Sequence, residues 1–221
     1  MIPGVVRMGI AVLLPAAVWA QGTATPYPAR APVAAYRMDR AREIALARSA
    51  APSSISGGAR ILVLGAAGYE TAAQGTNGFV CLVERSWAND FGSPDFWNPK
   101  DRSPMCLNGA AARSVLPDYL GRTRLALAGA PLDRIKAASA PAAPEVGAMC
   151  YMLSKLGYLN DDARGPWRPH LMFFLPRTPA AAWGANADHS PVLVNDPPDA
   201  PFTTFLIPVG RWSDGSAYSA P

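Results

Sequence analysis

A chain of 221 residues, half of them apolar and only 16% charged, can bury a core of its own, which excludes an intrinsically disordered tail. Its formal charge of +4 is spread along the chain rather than gathered in runs, so no nucleic acid is expected as a partner.

Residues 1–20 read as an export signal. Arg7 supplies a positive start, Met8 to Val18 an uncharged apolar run, and Ala20 a small residue ahead of Gln21. The run is too short to span a bilayer and no second such stretch follows. The expectation is a secreted or periplasmic protein of about 200 residues, folding as one domain and monomeric.

Residues 21–36, with Pro26, Pro28 and Pro32, read as an extended leader before a single α+β domain over 37–213 and a tail over 214–221. Residues 39–49 carry helix formers, with Met38 just before them and Ala41, Ile44 and Ala45 at helical spacing and Pro52 closing the run, which predicts a short helix. Arg37, Arg40, Arg42 and Arg48 are interleaved with Asp39 and Glu43 there, as on a solvated helix face. Residues 53–58 read as a loop.

Residues 60–64, 69–74 and 79–85 are expected to form a three-stranded meander, with turns at 65–68 and 75–78. Asn77-Gly78 is a hairpin signal. The third strand is apolar on both faces and is expected to be central and covered on both sides.

Residues 86–108 combine four glycines and prolines of the loop-forming kind with Trp87, Phe91, Phe96 and Trp97, and read as an irregular loop laid over one sheet face. Pro117, Asp118 and Gly129 frame a helix of about three turns, and 131–139 a shorter one. Strands are expected at 148–153, 169–175, 191–194 and 203–209, with a polar loop over 154–167. The whole reads as an α+β fold: a mainly antiparallel sheet of six or seven strands with about three short helices segregated from it.

Cys81, Cys106 and Cys150 allow three single bridges. Cys81 with Cys106 is the expected pair, because it would close the loop of about 25 residues and stabilise the fold by roughly 3 kcal/mol. Cys150 then remains a buried thiol in an apolar run.

The segments Gly75-Thr76-Asn77-Gly78-Phe79, Glu84-Arg85-Ser86-Trp87, Phe96-Trp97-Asn98-Pro99, Met149-Cys150-Tyr151-Met152 and Pro169-His170-Leu171-Met172-Phe173-Phe174 resemble those of a group of exported bacterial proteins of uncharacterised function. The resemblance implies export and a single domain, and no site or substrate.

Signatures of the well-marked hydrolases, phosphate loops and dithiol motifs are missing, and neither a cofactor nor a motif-marked metal site is expected. Of the two histidines, His189 lies in a loop while His170 opens an apolar strand and is the stronger candidate. Glu84 and Arg85 end an apolar strand; adjacent strand residues face opposite ways, so at most one of them meets the buried side. A carboxylate on that side must find a cation or rise in pKa.

Three functions follow as expectations. The leading one is binding of a small molecule or envelope component in a pocket lined by Glu84, Arg85, Tyr151 and His170. A hydrolase of the amidase or peptidase type would use Cys150 or Glu84 with His170. A periplasmic copper-binding protein would use Cys150 and Met152 on one strand face with His170 and Met172 on one face of another.

Overall fold

The structure, a computed structural model, describes residues 27–139, 143–158, 167–190 and 192–219. The expected signal at 1–20 and the first part of the leader lie outside these residues. Strands run in the order β1 (Arg60–Leu64), β2 (Tyr69–Ala73), β3 (Val80–Glu84), β4 (Ser103–Leu107), β5 (Met149–Met152), β6 (His170–Leu175), β7 (Leu193–Asn195) and β8 (Thr203–Pro208). Helices among the described residues are α1 (Val33–Tyr36), α2 (Arg40–Arg48), α3 (Ser53–Ser56), α4 (Gly109–Ser114), α5 (Leu116–Leu127) and α6 (Leu132–Ala138).

The α+β class holds, with an eight-stranded sheet and six helices in place of the expected six or seven strands and three helices. The sheet order is β2-β1-β3-β4-β5-β6-β8-β7, mostly antiparallel. The expected meander is corrected: β1 and β2 form a hairpin, but β3 crosses back to pair parallel with β1. Burial decides this. β3 is buried along its length and is driven to the interior of the sheet, whereas β2 is half exposed and tolerates an edge.

Gly75 makes the crossing possible, because a Cβ there would stand 2.2 Å from the backbone nitrogen of Arg60. Asn77-Gly78 serves the same connection instead of a two-residue hairpin. The Asn77 side chain accepts from Phe79 N and donates to Ile55 O, tying the crossing to α3.

β4 emerges from within the expected loop. Pro104 sits inside it, at a point where β4 is paired with β3 while its ladder to β5 is confined to Cys106 and Leu107, so the missing N–H leaves no ladder bond open on that side. Cys81 and Cys106 are direct partners across β3 and β4 and form the disulfide.

Local signals place the helices. Asp39 caps α2 by accepting from Arg42 N, Asn108 caps α4 by accepting from Ala111 N, and Pro117 occupies the first turn of α5. α2 packs on β1, β3 and β4 over a cluster of Leu46, Ala47, Ile61, Cys81, Val83 and Cys106. The opposite face carries α4 and α5 over Leu82, Met105, Leu107, Val115, Leu116 and Tyr119.

The aromatics of 86–102 do not lie over a sheet face as a group. Trp87, Phe91, Phe96 and Trp97 build a third cluster with Tyr36, Leu64 and Ile135. α1 belongs to it: inside the segment expected to be extended, Tyr36 is fully buried and donates its hydroxyl hydrogen to Trp97 O at 2.8 Å.

Candidate functional site

On the α5 side, a cavity of about 590 Å³ opens over the β3–β6 and β8 strands, walled by residues 88–95, by α5 and by the 197–202 segment. Strand parity selects its lining. Glu84 pairs with Ser103, Met152 with His170, and Met172 with Cys150 and Leu206, and directly opposed residues share a face. Glu84, Ser103, Met152, His170, Met172 and Leu206 therefore all present to the cavity.

Glu84 and His170 are thus brought to one chamber. Glu84 is 6% exposed and its Oε1 is buried with no hydrogen-bond partner among the described residues. Burial pushes its carboxyl well above the ordinary range; the nearby Asp101 carboxyl pushes the same way and Arg122 pulls it back. Burial thus favours the protonated form of Glu84, which can donate as well as accept.

His170 is 3% exposed. Its Nδ1 lies 2.9 Å from the carbonyl oxygen of Arg168, which can only accept, so Nδ1 carries the proton and Nε2 the lone pair. That Nε2 is buried and has no partner among the described residues. Burial also lowers the imidazole pKa, keeping the ring neutral. Trp167 packs edge-on against it with 4.4 Å between ring centroids.

Arg85 and Tyr151, expected beside them, point elsewhere. Arg85 is on the opposite side of β3 from Glu84, where its guanidinium holds Glu43 at 2.7 Å, donates from Nε to Tyr36 O at 2.7 Å, and also donates to Val83 O. Glu43 further accepts from Leu64 N at 3.1 Å, so this buried pair ties α2, α1 and two strands together. Tyr151 stands opposite Leu171 rather than His170, and packs with Phe79 over the disulfide face.

Residues that the sequence reading did not select complete the cavity. Arg122 is ion-paired with Asp118 at 2.8 Å and stacks over Phe91 at 4.3 Å from the ring centroid. The i,i+4 spacing of Asp118 and Arg122 on a framed helix was the available signal. Beside Glu84, Asp101 accepts from Ser103 Oγ at 2.6 Å and Asn89 Nδ2 at 3.0 Å, and burial raises it to about 7.

No hydrogen bond joins Cys150 or Glu84 to His170. Cys150 is fully buried, does not line the cavity, and burial raises its thiol well above the ordinary range. His189 is exposed in its loop.

No family model, curated protein or solved structure matches this chain. No helix among the described residues is long and apolar enough to cross a membrane.

Proposed function

We propose that this chain is an exported, monomeric protein that binds a small organic ligand in the cavity shared by Glu84 and His170. One observation carries the reading: two residues that line the same chamber, Glu84 and His170, each hold a buried polar atom, Oε1 and Nε2, without a partner among the described residues. An unpaired buried polar group costs about 1–3 kcal/mol, and it is retained where a ligand completes it. The volume falls within the range of small-molecule sites, and Tyr119, Met152, Met172 and Phe202 offer apolar walls for the body of such a ligand.

The charge around the cavity narrows the class. Asp90 and Asp95 line it, while the charge of Asp199 is already matched by Lys136 and that of Arg122 by Asp118. The ligand is therefore uncharged or cationic, with a hydrogen-bond acceptor for the Glu84 acid. Export is supported by the leader pattern and by the disulfide, which suits an oxidising compartment.

Native mass spectrometry of protein recovered from its export compartment tests this. Wild type and Tyr151→Phe are expected to carry a small molecule released on unfolding, and Glu84→Met to lack it. A wild-type protein that carries nothing, and whose melting temperature no uncharged or cationic compound raises, would overturn the reading.

A further inference from the structure

We propose that the His170 end of the cavity is a binding site for a soft monovalent metal ion, Cu(I), formed by His170 Nε2 and the thioether sulfurs of Met152 and Met172. The proposal rests on the cavity being a binding site and names what its His170 end takes.

The β5/β6 register makes the cluster. Met152 is directly opposite His170, and Met172 is two residues along the same strand face, so the three side chains rise from points about 5–8 Å apart. All three line the cavity.

His170 is prepared in the manner of a metal ligand. Its Nδ1–H is held by the Arg168 carbonyl, which fixes the tautomer and leaves the lone pair on Nε2, where no donor among the described residues meets it. Trp167 covers one side of the ring and keeps its position.

The donor set decides the ion. No group of three His, Cys, Asp or Glu that could hold a metal occurs among the described residues, so calcium, magnesium and zinc have no adequate ligand set. One imidazole with two thioethers is a soft, uncharged set that suits Cu(I). Glu84, the other unpartnered group of the cavity, stands three strands away, about 14 Å across the sheet, and is not a ligand.

Cys150, opposite Met172, completes the rectangle of residues in sequence terms but lies beneath the cavity wall, fully buried. It is excluded from the ligand set. The site binds Cu(I) through three neutral atoms, with no bond broken and no proton released.

The test is competition for Cu(I), kept reduced by ascorbate, between the intact protein and the chromophoric chelator bicinchoninate, with Ag(I) as a redox-inert second probe. Expected is one Cu(I) per chain. Loss of an outer partner of a metal ligand already costs about 10–100-fold in affinity, so Met152→Leu and Met172→Leu, which preserve side-chain volume, are expected to weaken binding at least about tenfold each. Cys150→Ala is expected to retain wild-type affinity. In ¹³C-methyl methionine spectra, Ag(I) is expected to shift the Met152 and Met172 signals and leave those of Met38, Met105 and Met149 in place.

Absence of stoichiometric Cu(I), or a folded Met152→Leu/Met172→Leu double variant that binds as tightly as wild type, would overturn the metal site. An organic ligand still lost in Glu84→Met under those results would leave the cavity reading standing, so the two failures are separable.

Discussion

Glu84 and His170 sit on one face of the sheet, three strands apart and about 14 Å across it, both lining the same cavity and each with one buried polar atom unpaired among the described residues. The separation rules out a direct hydrogen bond between them and leaves room for a bound molecule. It also weighs against the hydrolase arrangement, in which the imidazole must activate a neighbouring nucleophile.

Replacing Glu84 by Met is expected to stabilise the ligand-free protein by about 1–3 kcal/mol, since it removes a buried, unpartnered carboxyl without opening a large void. Urea denaturation of protein stripped of ligand checks this. A lower denaturation midpoint for the variant would mean that Glu84 has a structural partner.

Stability is expected to increase as the pH falls from about 8 towards about 4.5. Glu84 and Asp101 both titrate higher in the fold than in the unfolded chain, Asp101 at about 7. Between their unfolded and folded pKa values the native state holds protons that the unfolded state has lost, so raising the pH through that window favours unfolding. His170 acts in the opposite sense, because below about 6.5 the unfolded chain gains a proton that the buried ring refuses, and this flattens the slope without reversing it. Below about pH 4 the exposed carboxylates Glu145 and Asp214 and the half-buried Asp199, held low by hydrogen bonds from Arg113, Lys155 and Lys136, lose their contribution and stability falls again. Thermal melts from pH 4 to 8 should show this maximum, and Glu84→Gln with Asp101→Asn should flatten its alkaline side.

The Glu43–Arg85 pair has a structural role and is expected to be costly to split. Arg85→Met strands a buried carboxylate and should destabilise by about 3–5 kcal/mol, while Arg85→Met with Glu43→Leu should recover most of the loss. A double-mutant cycle in urea measures it. A large loss that persists in the double variant would assign the effect to the bonds from Arg85 to Tyr36 and Val83 instead.

Reduction of Cys81–Cys106 releases a loop with a sequence separation of 25 residues. A loss of about 3 kcal/mol is expected from the chain-entropy relation, read as a lower denaturation midpoint in dithiothreitol. Since the bridge joins neighbouring strands on the α2 face, away from the cavity, the reduced and still folded protein is expected to keep its ligand.

Much of the local structure was legible in the residues. Asp39 and the spacing after it mark α2, and Pro117 with Gly129 brackets α5, because caps and proline act within one or two turns of chain. Cys81 and Cys106 could be paired, and the doubly apolar β3 could be placed inside the sheet. Alternation also foretold that Glu84 and Arg85 part company, and that Cys150 goes with Met152, and His170 with Met172.

Tertiary structure alone decided which strand lies beside which, and therefore which side chains meet. Alternation fixes the relative faces within one strand but not which face the cavity occupies, so Tyr151 could be grouped with His170 until the register set it opposite Leu171. β4 was hidden by Pro104, whose tolerance depends on where the ladder of another strand ends. The unpaired Nε2 of His170 and the buried Oε1 of Glu84 are likewise products of long-range packing, since desolvation is imposed by elements distant in sequence such as α5 and the 197–202 segment, and no local run of residues encodes it.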